Sequence, residues 1–191
     1  MTSPSPSYPV SPRREAFDRA MQGIVLGSLT WGARHWLLLL NTGAFLFFFL
    51  PVVAAPVLMA AGWTGAANAI HMLLSPFCHQ MPSRSFYLFG EQLALCHRMS
   101  AMAGFFFLFG VLYMPLRRRL KSLPEWLTVA YCLPLVVDGT TQLFGWRESS
   151  WELRVATGAF FSLAAVWYVF PHFELVMPLA ARHLRPAVES G

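Results

Sequence analysis

The chain has 191 residues, is 56% hydrophobic and only 12% charged, and carries 17 Phe and 7 Trp. A soluble domain carries about 25% charge, so the composition excludes an ordinary soluble fold and points to an integral membrane protein. The runs are continuously apolar, which excludes a β-barrel of alternating strands, and three cysteines are too few for a disulfide scaffold.

Residues 1–11, rich in Ser and Pro, read as a disordered tail with too few apolar groups to offset ordering entropy. Ser11 as N-cap and Pro12 in the first turn then open a helix over 12–34. Phe17, Ala20, Met21 and Ile24 recur at helical spacing, while Arg13, Arg14, Glu15, Asp18 and Arg19 fill much of the other side. The pattern fits a short amphipathic helix on the cytoplasmic membrane surface. It fits an ordinary cytosolic lead-in helix equally well.

A single transmembrane domain is expected over 35–181. Its first span, 36–59, has no charge between Arg34 and Arg84, and Pro51 and Pro56 kink its second half. Residues 63–74, less apolar and containing Asn68 and His71, read as an interfacial helix capped by Thr64, with a fifth span as the alternative. The second span, 99–116, stops at Arg117-Arg118-Arg119-Leu120-Lys121. Ser122-Leu123-Pro124-Glu125 matches a capping box and opens the third span, 126–146, which holds Asp138 and Gln142. Ser149-Ser150-Trp151-Glu152 is a second such box, before a helix that is apolar over 155–171. Residues 182–191, with Arg182, His183 and Arg185, read as a cytoplasmic tail. Gly104, Gly110, Gly139 and Gly158 are placed for close helix contact.

Cytoplasmic segments collect Lys and Arg. With four spans, the basic groups before the first, between the second and third, and after the fourth fall on one side. The other side keeps Arg84, Arg98, Arg147 and Arg154, balanced by Glu91, Asp138, Glu148 and Glu152. The expected fold is thus an all-α bundle of four transmembrane helices, both termini cytoplasmic, with an ordered extracytoplasmic loop. The membrane is the plasma membrane of a bacterium or archaeon, and the charge pattern follows orientation rather than nucleic acid.

A polar constellation collects at the outer face: Cys78, His79, Gln80, Arg84, Cys96, His97, Arg98, Asp138, Gln142, Arg147, Glu148 and Arg154. Asp138 and Gln142 share one helix face. A carboxylate inside a span needs a cation, and Arg147 and Arg154 enter from the neighbouring turn. Cys78 and Cys96 enclose 17 residues, and on an oxidising face a disulfide between them would contribute about 3 kcal/mol. Alternatively Cys78, His79, Cys96 and His97 supply four ligands for zinc or copper, with Met99 as an added thioether. A reactive thiol pair is the third reading. Cys132 stands alone in the third span and suits packing.

Two stretches carry a family resemblance. Cys78-His79-Gln80-x-Pro82-x-Arg84-Ser85-Phe86, then Gly90 and Cys96-x-Arg98, forms the first. The second is Leu133-Pro134-Leu135-Val136-Val137-Asp138-Gly139-Thr140-Thr141-Gln142-Leu143-Phe144-Gly145-Trp146-Arg147-Glu148-Ser149, completed by Arg154-x-x-Thr157-Gly158. Together they resemble the signatures of domain-of-unknown-function family 2085, small multi-span membrane proteins. The resemblance implies the architecture and no chemistry. Many members carry a further cysteine three positions after the one matching Cys96. Here that residue is Met99, which weakens a zinc or cluster site.

Three functional readings stand at this level. The favoured one is a non-catalytic membrane component or partner-docking subunit, because no nucleophile, base and oxyanion site can be placed together. The sequence therefore leans away from an enzyme without deciding it. The second is a thiol-redox or metal-handling protein. The third is an enzyme or carrier for an anionic lipid headgroup, held by Arg84, Arg98, Arg147 and Arg154. The expected partners are the lipid bilayer, with another membrane protein or an anionic lipid, and no nucleic acid.

Overall fold

The computed structural model describes residues 12–189, and only the backbone of residues 12, 15, 16 and 181–189. The expected tail at 1–11 and the Ser11 cap lie outside the described residues, as do the side chains of Glu15, Arg182, His183 and Arg185.

Helix α1 (Pro12–Arg34) begins and ends where the sequence places it. It belongs to a unit with the end of the chain from Glu174, and a second unit holds Leu37–Phe173. All residues of the polar constellation fall in the second unit.

That unit opens with one continuous helical run, Trp36–Ala60, built from α2 (Trp36–Ala44), a π-helical turn (Phe45–Phe49) and α3 (Leu50–Ala60). The π-turn has a local cause. Pro51 has no N–H to donate, and its ring crowds the carbonyl one turn back. The wider turn relieves this, and the Leu50 N–H reaches five residues back to Phe45 O. At about 1.5 Å per residue, 25 residues rise about 37 Å, enough to cross a hydrocarbon core of about 30 Å.

Gly62 ends this run at φ +84°. The Trp63 N–H bonds Leu58 O at 2.8 Å and the Gly62 N–H bonds Met59 O at 3.0 Å. This is the left-handed helix stop that glycine makes without steric cost. It reverses the chain into α4 (Thr64–Leu74), whose 11 residues are too short to cross a bilayer. The alternative of a fifth span is thereby corrected. Trp63, not Thr64, is the N-cap residue, and it makes no side-chain cap.

The segment after α4 departs from the all-α expectation. Strands β1 (Ser85–Leu88) and β2 (Glu91–Cys96) pair antiparallel, with Leu88 opposite Glu91 and Ser85 opposite Cys96. The turn between them is Phe89-Gly90, both at positive φ (56° and 83°). A two-residue turn of this hand matches the twist of the strands. Val52, Ala55, Leu74, Cys78, Ala94 and Leu95 form the buried core beneath the hairpin, joining α3, α4 and β2.

Helices α5 (His97–Leu116), α6 (Glu125–Leu143) and α7 (Trp151–Glu189) follow. Neither expected capping box forms as written. Pro124 is the N-cap of α6 and gives no side-chain bond. Ser122 instead lies 3.2 Å from His172 Nδ1, because the preceding loop turns toward α7, where the Trp167 indole N–H donates to Lys121 O at 2.9 Å. Ser150 rather than Ser149 caps α7, its Oγ accepting the Leu153 N–H at 3.4 Å.

Small residues set the helix contacts. A Cβ on Gly158 of α7 would stand 2.9 Å from Arg98 O of α5, and a Cβ on Gly110 of α5 would collide with the buried Asn41 amide of α2. Ser162 Oγ bonds Met102 O at 3.0 Å across the same α5–α7 seam. Among the described residues, three helical runs are long and apolar enough to cross a membrane: Trp36–Ala60, His97–Leu116 and Trp151–Ala180. Helix α6 is not among them, since Asp138, Gln142 and its threonines dilute its hydropathy.

Candidate functional site

The site lies at the end of the second unit where α5 and α7 begin and α6 ends, against the hairpin. Asp138 is its electrostatic centre and is 1% exposed. Arg98, in the first turn of α5, donates to Asp138 Oδ2. Arg147 donates to Asp138 Oδ1 at 2.7 Å. A second glycine stop brings Arg147 there. Gly145 sits at φ +69°, and the Trp146 N–H bonds Thr141 O at 3.0 Å, turning the chain back over α6. Arg98 also lies 3.4 Å from Gln142 Oε1, one turn beyond Asp138. Of the two partners expected for Asp138, Arg147 is present and Arg154 is not; Arg98 takes its place.

Above this clamp is a cavity of about 350 Å³, lined by Cys78, His79, Gln80, Arg84, Cys96, Arg98, Gln142 and Arg154, with Phe77, Met81 and Met99. Eight residues of the expected constellation thus face one space. Arg154 is 6% exposed. Its electrostatic neighbours include Arg84 and Arg98 as well as Asp138. The Nε atoms of Arg98 and Arg154 and the Nε2 of Gln142 are buried and make no hydrogen bond within the protein. These are all donors. Glu148 touches the site only through a 3.9 Å pair with Arg84, and its side chain is 92% exposed.

The loop that carries Cys78 to Gln80 is held by groups the sequence does not single out. Gln80 sits at φ 49°, unusual for a residue with a Cβ. Its amide donates to His71 O at 2.7 Å and accepts at 3.2 Å from the His71 ring. Its carbonyl accepts from Gln92 Nε2 at 2.7 Å. Of these, the sequence marks His71 only as a polar residue in a less apolar stretch, and Gln92 not at all.

Cys78 and Cys96 are free thiols, so the expected disulfide is not formed. Cys78 Sγ instead accepts the Cys96 N–H at 3.3 Å and the Gln80 N–H at 3.5 Å. A hydrogen bond from the Cys96 thiol, these amides and the charge of His79 outweigh burial and hold the Cys78 thiol down at about 5. The same hydrogen bond, with burial, pushes the Cys96 thiol up. The pair is therefore arranged as one thiolate and one donor thiol.

The four-ligand metal site is also corrected. Cys96 ends β2 and His97 starts α5, so their side chains diverge. The His97 ring packs edge-on against Phe86, with centroids 4.3 Å apart, and Phe86 in turn meets Trp151. Among the described residues no three His, Cys, Asp or Glu side chains converge as metal ligands.

Comparison with known proteins agrees with this architecture. Residues 78–168, which contain most of the site, match the family described as "Predicted membrane protein (DUF2085)". An uncharacterized protein of Methanocaldococcus jannaschii is 35% identical over 143 residues, covering 70% of this chain and 90% of that protein. An uncharacterized protein of Methanothermobacter thermautotrophicus is 33% identical over 103 residues, covering 51% of this chain and 90% of its own length. No solved structure matches. The chain belongs to this family of predicted membrane proteins, and is an integral protein of the plasma membrane.

Proposed function

We propose that the chain crosses the membrane four times, with both ends cytoplasmic, and that the cavity at its outer face binds an oxyanion of the phosphate class. The fourth crossing is α6. Val129, Leu133 and Val136 follow at helical spacing and are all more than half exposed, as a lipid-facing stripe would be. Its polar residues turn inward to Arg98 and Arg147. The exposed Trp146, Trp151 and Phe89 suit an aromatic belt at the outer interface.

The observation that carries the ligand reading is the set of buried donors without acceptors. Native proteins rarely leave such groups unmatched. Here three of them belong to Arg98, Gln142 and Arg154, residues that line one cavity, and among the described residues Arg154 makes no salt bridge to a carboxylate. Guanidinium groups present planar forks that match phosphate oxygens. Asp138 supplies one negative charge to Arg98 and Arg147, Arg84 keeps a 3.9 Å pair with the exposed Glu148, and Cys78 lines the same space as a thiolate, so the four guanidiniums still outnumber the anionic groups beside them and leave the site net positive. This favours the anionic-headgroup reading over a purely structural polar cap. Metal handling has no support in the placement of His97.

Two measurements test it. A reporter fused after Ser149 should be extracytoplasmic; a cytoplasmic result would refute the four-span orientation. Purified protein should bind glycerol phosphate in calorimetric titration, with chloride as the control. Replacement of Arg154 by Met should weaken binding about tenfold or more, on the order of one charge-assisted hydrogen bond. Equal titrations for the two proteins would sink the oxyanion reading.

A further inference from the structure

A second cavity, of about 360 Å³, lies directly below the polar one. It is lined by Leu40, Ala44 and Phe48 of the first helical run, Met99, Met102, Ala103 and Phe106 of α5, and Phe161 and Ser162 of α7, with Leu95 at its head. Its wall is almost wholly apolar. Met99, Met102, Ala103 and Phe106 stand at positions i, i+3, i+4 and i+7, so they form one stripe along α5. From Met99 to Phe106 that stripe descends about 10 Å into the membrane half of the bundle.

The two cavities meet. Met99 lines both. The Phe77 ring, which lines the polar cavity, meets the Phe48 ring of the apolar one edge-on, with centroids 6.3 Å apart. Leu95 and Cys96, consecutive on β2, face one cavity each. Phe48 and Phe77 are both exposed, so this junction is open at the protein surface.

We infer that the two cavities form one site for an anionic lipid, with the phosphate among Arg84, Arg98 and Arg154 and an acyl or alkyl chain along Met99, Met102, Ala103 and Phe106. This rests on the oxyanion reading above and narrows it to a membrane-borne source. A free phosphate would use only the upper cavity. An amphiphile with a charged head and an apolar tail matches both walls at once, and their order along α5 matches a lipid of the outer leaflet. The groove then makes binding energy that a soluble headgroup cannot obtain.

The test uses the full chain in nonionic detergent. Native mass spectrometry should find one phosphatidylglycerol retained in preference to phosphatidylcholine. Filling the groove with Ala103→Phe should lower that retention about tenfold, equivalent to about 1.4 kcal/mol, while leaving the glycerol phosphate titration unchanged. Arg154→Met should weaken both about tenfold or more. Because Ala103→Phe could disturb packing, the wild type is also labelled with a phosphatidylglycerol carrying a photoreactive group in its chain. Adducts should fall on Met102, Ala103 or Phe161. Glycerol phosphate binding with no lipid preference, or adducts scattered over the lipid-facing surface, would overturn the lipid assignment and leave the oxyanion site standing. No response to either ligand would overturn both.

Discussion

Arg98 in the first turn of α5 and Asp138 in the last third of α6 form a direct ion pair. The pair ties together two helices that are otherwise largely apolar. It also sets the electrostatics of the cavity above. Asp138 holds Arg98 on one carboxylate oxygen and Arg147 on the other, and with Arg84 and Arg154 nearby the cationic groups outnumber Asp138, Glu148 and the Cys78 thiolate. A Cβ at Gly139 would lie 3.5 Å from Arg98 Nη1, an ordinary contact, so the backbone next to Asp138 borders that guanidinium without being crowded by it.

Replacing Asp138 by Asn should be the most damaging single change in the site. It leaves Arg98, largely buried, without its counter-charge. Loss of one partner of a buried pair costs about 3–5 kcal/mol. Arg147→Ala should cost less, since that side chain is 45% exposed. Thermal unfolding in detergent should place wild type above Arg147→Ala and Arg147→Ala above Asp138→Asn. Asn at 138 with wild-type stability would show that the clamp holds nothing together.

The α5–α7 seam should be similarly sensitive at Gly158. A Cβ there stands 2.9 Å from Arg98 O and 3.2 Å from Ala101 Cβ, and the first of these is backbone that cannot swing aside. Gly158→Ala should cost about 1–3 kcal/mol, as overpacking does, and Gly158→Val more. Gly65→Ala, where nothing lies within 4 Å, is the matching control and should change little. Comparable losses at 65 and 158 would argue against close packing as the cause.

The helices were legible because their apolar runs, prolines and basic stops are local signals. Helix α1 covers the residues expected to be helical, Pro12–Arg34, and the first long apolar helical run ends within a residue of its expected limit. The hairpin was not legible. Its strands are short, and its turn places Phe89, not an Asn or Asp, at positive φ. Most of the polar residues were found by composition alone, since charge is rare in these surroundings. Their pairing was not. Arg98 is 40 residues from Asp138 in sequence, whereas Arg147 is near, so sequence nominates neighbours and misses the partner across the bundle. The adjacency of Cys96 and His97 misled for a related reason. A strand becomes a helix between them, and consecutive side chains part company.

The thiol pair gives a pH-dependent prediction. Cys78 is held down at about 5 by the hydrogen bond from Cys96, so it is thiolate over most of the neutral range. Its alkylation by iodoacetamide should reach half its maximal rate near pH 5, whereas an ordinary thiol does so at about pH 8.5. A depressed folded value means that Cys78 adds stability above its unfolded value, and that this is lost as pH falls toward 5. Cys96, pushed up, works in the opposite sense, and its contribution is lost as pH rises beyond the unfolded value. Peptide mass mapping of alkylation across pH separates the two thiols. Cys96→Ala should move the Cys78 midpoint up toward that of a free thiol. An unmoved midpoint would mean that the Gln80 and Cys96 amides alone set it.

Arg154 allows stability and binding to be pulled apart. Its guanidinium is buried, its Nε lacks an acceptor, and Arg84 and Arg98 are among its electrostatic neighbours. Asp138, also among its neighbours, is already engaged by Arg98 and Arg147, so a cation buried here is a cost to the folded protein in the absence of an anion. Arg154→Met should therefore unfold at the same temperature as wild type or higher when no anion is added. Glycerol phosphate should raise the midpoint of the wild type more than that of the variant at each concentration, because a ligand stabilises only the state it binds and the variant binds it about tenfold or more weakly. Two curves that cross as ligand is added are the expected signature. If Arg154→Met is instead the less stable protein at every ligand concentration, Arg154 is a packing residue and the cavity has lost its main reason to be called an anion site.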